Sequence, residues 1–139
     1  MPLQVIDYSD VYYRAFAGGE VPPARQGKFV LMTDGGQWYA VFSVSKLTTY
    51  HTNIVERFLA EHGVTGNYDE EKGVFRYHAP AWKVLGGGRW DLDEEAGRLI
   101  IFSKSGAYGG VALEELADQL QAVGAFGGIE VLSGLEQQP

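Results

Sequence analysis

Apolar residues along this chain fall into short runs separated by turn-forming clusters, and the spacing within each run predicts its conformation. Lys28 to Thr33 and Trp38 to Val44 are rich in β-branched and aromatic residues and flank Asp34-Gly35-Gly36, the pattern of a β-hairpin. Further strands are predicted at Val74 to His78, at Trp82 to Leu85 running on through three glycines to Leu92, at Leu99 to Lys104 and at Ile129 to Leu132. The period changes over Thr49 to His62, where Ile54, Val55, Phe58 and Leu59 recur at helical spacing, with Thr48 or Thr49 as cap and Gly63 as stop. A second helix has a longer stripe, Leu113, Leu116, Ala117, Leu120 and Val123, with Glu114 and Glu115 in its first turn and Gly124 ending it. Two main helices among several strands predict one α/β domain over residues 1–139, with a mixed sheet whose face or faces the helices cover. Its core is expected within residues 28–132, and the polar stretch 134–139 is expected to be a flexible tail.

Composition narrows the partners. With 139 residues, 45% hydrophobic and 13% aromatic, the chain can fill one core. Its net charge of -7, from 11 basic and 18 acidic residues, argues against nonspecific binding to nucleic acid or to an anionic membrane, since both need a basic face. A small anion still fits, because local donors decide its binding. Met1 to Asp7 lack the basic stretch and apolar run of a signal peptide, and no apolar run approaches membrane-spanning length, so a cytoplasmic monomer is expected. The absence of cysteine removes disulfides, cysteine nucleophiles and thiolate metal sites.

Among candidate chemical groups, His51 stands out. It lies in Tyr50-His51-Thr52-Asn53-Ile54, at the first turn of the first predicted helix. A helix amino terminus disfavours an imidazolium by about 0.3 to 1 kcal/mol, so a histidine there stays neutral near pH 7 and can act as base or nucleophile. A capping or half-buried histidine without chemistry fits the same position. His62, at the other helix end, suits a structural or solvated role, His78 carries no evident chemistry, and the three histidines show no metal-ligand spacing.

Two glycine-rich segments follow. Three glycines in Leu85-Gly86-Gly87-Gly88-Arg89 are too many for a well-packed strand and fit a place where backbone or ligand approaches closely. Arg89 could meet two phosphate oxygens there, although a bulged strand with a solvated arginine fits equally. The loop Ser103-Lys104-Ser105-Gly106-Ala107-Tyr108-Gly109-Gly110 precedes the second helix and could aim backbone N–H groups and the Ser105 hydroxyl at an anion; a flexible connection is the other reading. It has neither the Walker nor the dinucleotide-binding spacing, and Ser105 has no neighbouring acid–base partner for a hydrolase triad. The acidic segments Asp69-Glu70-Glu71 and Asp91-Leu92-Asp93-Glu94-Glu95 are read as solvated hairpin turns, without the ligand set of a calcium loop.

Together, Tyr50-His51-x-x-Ile54, Leu85-Gly86-Gly87-Gly88-Arg89 and Ser105-x-Ala107-Tyr108-Gly109 resemble, in the same order, the motifs of the protein histidine phosphatase family, also called the Janus or phosphohistidine phosphatase family. The resemblance runs from about Lys28 to Leu132. It implies a small α/β fold and a hydrolase that needs no metal or cofactor, removing phosphate from phosphohistidine, or phospholysine, in a phosphorylated protein or small phosphoramidate. It implies His51 as the catalytic group, with Lys28, in Gly27-Lys28-Phe29-Val30-Leu31, and Arg89, Ser105, Gly106 and Ala107 binding the phosphoryl group. Three departures stand out: Gly106 replaces a larger residue in the loop, Ser43 stands where the family can carry an upstream arginine, and residues 63–83 are longer than in animal members, as if a hairpin were added. The last two motivate an alternative, a non-catalytic module that binds phosphate or a phosphoprotein in the same pocket.

Overall fold

A computed structural model describes residues 2–16 and 18–134, so the expected tail lies outside the described residues from position 135 onward. At its centre the predicted hairpin forms: β2 (Ala24–Thr33) and β3 (Trp38–Ser43) pair antiparallel, Lys28 opposite Ser43 and Thr33 opposite Trp38. Asp34 organises the turn by accepting from the N–H groups of Gly36 and Gln37. On its other edge β2 pairs antiparallel with β6 (Lys83–Asp93), which pairs antiparallel with β7 (Arg98–Phe102).

Parallel strands close both ends of this sheet. β1 (Leu3–Asp7) lies beside β3 and β8 (Glu130–Ser133) beside β7, giving a six-stranded mixed sheet ordered β1-β3-β2-β6-β7-β8. Each parallel pairing needs a crossover that carries helix. After β1 the chain enters α1 (Tyr8–Ala15), whose N-cap Asp7 accepts from the Ser9 N–H at 2.9 Å. After β7 it passes through the glycine-rich loop, α3 (Leu113–Ala122) and a helical turn, α4 (Ala125–Gly128).

Alternation along the strands sends apolar side chains to both faces. Phe29, Leu31, Phe42, Trp90, Leu92, Leu99 and Ile101 form one layer with Leu116 and Leu120 of α3. Val30, Met32 and Val41 form the other with Ile54, Val55, Phe58 and Leu59 of α2 (His51–Glu61). The helices therefore flank both faces. A separate hairpin, β4 (Gly66–Asp69) with β5 (Val74–Tyr77), folds against the α2 side through Phe75, supplying the added hairpin expected within residues 63–83.

Several expectations need correction. The cap of α2 is Tyr50, because Thr48 turns its hydroxyl to Ser43 and Thr49 turns its own to the Ser45 carbonyl. Asp91 and Asp93 belong to β6, leaving only the turn after them at the acidic tip. The chain before Lys28, for which no strand or helix was expected, contributes β1, α1 and the first residues of β2.

Candidate functional site

Lys28 and Arg89 are direct cross-strand partners in the β2–β6 ladder, so their side chains stand together on the α2 side of the sheet. They lie where α2 begins. Beyond that first turn the sheet is not covered by helix, and a cavity of about 660 Å³ opens there. It is lined by Lys28 and Arg89 from the strands, Tyr50, His51, Thr52 and Asn53 from the start of α2, and Ser103, Lys104, Gly106 and Ala107 from the loop after β7. Tyr68, Asp69, Glu70 and Gly73 of the β4–β5 hairpin line it as well.

His51 is 7% exposed, and its Nε2 lies 2.9 Å from the carbonyl oxygen of Gly88. A carbonyl can only accept, so Nε2 carries the proton and the neutral ring keeps its lone pair on Nδ1. Nδ1 has no partner among the described residues, yet it is not one of the fully enclosed unpartnered side-chain atoms, so it retains accessible surface in the cavity. Burial, the largest cause, holds the His51 pKa below the ordinary histidine value, with the charges of Lys28 and Arg89 adding to it and the Gly88 carbonyl opposing it. The helix terminus inferred from sequence acts in the same direction as burial and the two cations.

The three glycines give His51 and the loop their room. A Cβ on Gly87 would lie 2.4 Å from the Phe29 carbonyl oxygen and 3.0 Å from His51 Cδ2, one on Gly86 2.4 Å from the Gly110 oxygen, and one on Gly88 2.7 Å from the Phe102 oxygen. Backbone and the histidine ring fill these spaces. Gly87 also holds the loop: its N–H donates to Gly109 at 3.0 Å and its carbonyl accepts from the Ser105 N–H at 3.1 Å.

Ser105 does not line the cavity. It is 2% exposed, its hydroxyl oxygen accepts from the Tyr108 N–H at 3.1 Å, and its carbonyl accepts from the Gly109 N–H at 2.9 Å. Its place in the fold is to close the turn that presents Gly106 and Ala107. The N–H groups of these two residues find no acceptor among the described residues. Ser103, at the edge of the cavity, has φ of 64°, a left-handed conformation that is strained for a residue with a side chain.

Charge sharpens the picture. Lys28, Arg89 and Lys104 form no ion pair among the described residues, although the chain carries a net charge of -7. Lys28 Nζ donates to the Thr49 carbonyl at 3.0 Å, and burial followed by the Arg89 charge lowers its pKa. Ser43 is buried and bonded to Thr48. Lys104 and Tyr50 also line the cavity and lie within the glycine-rich loop and the His51 motif of the sequence, which point to them only by proximity, while Tyr68 reaches the cavity only through the hairpin. The acidic turn read as solvated contributes Asp69 and Glu70 to the cavity wall. His62 instead sits among Tyr39, Phe58 and Trp82, its Nδ1 donating to the Phe58 carbonyl at 2.9 Å. No family model matches the sequence, and comparison with curated proteins finds no significant match.

Proposed function

We propose that this cavity binds a phosphoryl group and hydrolyses its bond to nitrogen, as in phosphohistidine or phospholysine, without a metal ion. The observation that carries the reading is the meeting in one cavity of three cations without ion pairs and two loop residues whose N–H groups have no acceptor among the described residues, beside a histidine whose accepting nitrogen is free. Arg89 and Lys104 are exposed and water can solvate them, so it is their grouping with Lys28 in one cavity, rather than the lack of ion pairs, that creates a locally positive field for an anion. Phosphoryl transfer requires chiefly positioning and stabilisation of spread negative charge, which this donor set supplies.

In the proposed reaction, Lys28, Arg89, Lys104 and the N–H groups of Gly106 and Ala107 hold the phosphoryl oxygens. His51 Nδ1 accepts a proton from water as the water oxygen bonds to phosphorus; the phosphorus–nitrogen bond breaks and the leaving nitrogen takes up a proton. Attack by Nδ1 itself uses the same geometry and would pass through a phosphorylated His51 that water then cleaves.

Phosphate release from chemically phosphorylated polyhistidine and polylysine, with and without a chelator, tests the reading. His51→Ala is expected to abolish release while leaving the thermal transition in place. Release that persists in this variant removes His51 from the chemistry, and release that stops with chelator removes the metal-independent mechanism. The buried Ser43, which brings no charge to the cavity, favours a second reading, a phosphate-binding module without turnover; saturable phosphate binding with no release in the wild-type protein would select it.

A further inference from the structure

The cavity carries charge of both signs. A phosphoryl group occupies only part of about 660 Å³, a volume in the range that holds a ligand of several linked groups. The cavity that Lys28, Arg89 and Lys104 line is also lined by the β4–β5 hairpin, where Asp69 is engaged by Arg76 at 2.6 Å but Glu70 has no partner among the described residues. Two exposed tyrosines line the same cavity, Tyr68 of the hairpin at 44% and Tyr50 at the start of α2 at 64% exposure. Tyr68 is fixed in place, its hydroxyl donating to Glu56 and accepting from Asn53 Nδ2 at 2.8 Å. His51, more than nine-tenths buried, presents its unpartnered Nδ1 to the same space.

Aromatic faces beside a free carboxylate attract cations and repel a second anion. We infer that the β4–β5 hairpin forms a subsite for a basic residue beside the phosphorylated one, so that the preferred substrate is a phosphorylated segment of a basic polypeptide. This inference rests on the phosphoryl-binding reading of the cavity and extends it to the substrate class. The overall charge of -7 acts in the same sense, because it draws in basic polypeptides and disfavours acidic ones.

Two peptides of equal length with a central phosphohistidine, one flanked by lysines and one by glutamates, separate the possibilities. The wild-type protein is expected to favour the lysine peptide in kcat/KM by about fivefold, the scale of a single exposed charge pair. Glu70→Gln is expected to lower that ratio and Glu70→Lys to bring it to unity or below, mainly through KM. Equal kcat/KM for the two peptides in the wild-type protein, or a ratio untouched by Glu70→Lys, overturns the subsite. Turnover of inorganic phosphoramidate by the wild-type protein tests the hydrolase reading separately. If no phosphoramidate is cleaved, that reading fails and the same peptide pair is compared by equilibrium binding. Tighter binding of the lysine peptide then supports the subsite, and equal binding rejects it.

Discussion

At the level of single residues, the site depends on how His51 is kept neutral and where its lone pair points. Burial and two neighbouring cations all depress its pKa, so the base form should persist below the ordinary histidine value of about 6.5. The acid limb of kcat/KM for a phosphohistidine peptide, corrected for uncatalysed hydrolysis, is therefore expected below that pH. Arg89→Met removes one like charge and should move the limb upward while raising KM; a limb that starts above the ordinary value would contradict this account. Glycines offer a second residue-scale contrast. Gly87→Ala drives a Cβ against the Phe29 carbonyl and the His51 ring and is expected to cost about 1 to 3 kcal/mol in denaturant titration. Gly106→Ala meets nothing within 4 Å and should stay within about 0.5 kcal/mol of the wild-type protein. Sequence alone exposed the unusual number of glycines at 86–88 but not their neighbours, because close approach is a property of strands and loops far apart in the chain.

Among elements, the loop after β7 and the β4–β5 hairpin are tied by one side chain. Tyr108 takes its place in the Ser105 turn through its own N–H, and its hydroxyl oxygen accepts from the Phe75 N–H at 3.2 Å. Tyr108→Phe would leave that N–H without its acceptor, at a cost of about 1 kcal/mol, and should speed amide exchange in β5 before any other strand. Exchange rates for Val74 to Tyr77 that match the wild-type protein would show that packing of Phe75 alone holds the hairpin. The elements legible in the sequence are those with dense local patterns: β2, β3, β5, β6, β7, β8 and the stripes of α2 and α3. β4 was not, since Gly66-Asn67-Tyr68-Asp69 is poor in strand-forming residues and extends only because Val74 to Tyr77 pairs with it. β1 was missed for a related reason. It is five residues long and is held by parallel pairing to β3 across an intervening helix and strand, a long-range interaction that no local window contains. The three site motifs were legible because each is short and contiguous, and Tyr50 and Lys104 lie within or beside them, whereas Tyr68 joins the site through tertiary placement.

The molecule as a whole separates stability from chemistry by the two faces of its sheet. Every cavity-lining side chain from the strands and from α2 belongs to the α2 side, whereas α3 packs its buried Leu116, Ala117 and Leu120 on the opposite layer. The sheet between them is shared, so either layer supports one cooperative fold, but only one layer positions His51. Leu120→Ala removes a fully buried side chain from the far layer and is expected to cost about 2 to 5 kcal/mol, read as a lower Tm, with kcat/KM retained at temperatures where the variant is folded. Leu59→Ala, equally buried but on α2, should cost a similar amount of stability and also reduce kcat/KM, because it loosens the helix whose first turn holds His51. The comparison is decisive in both directions. If Leu120→Ala lowers kcat/KM as much as Leu59→Ala does, then α3 and the loop that enters it position the phosphoryl-binding N–H groups as strongly as α2 positions the histidine, and the site would have to be described as spanning both layers.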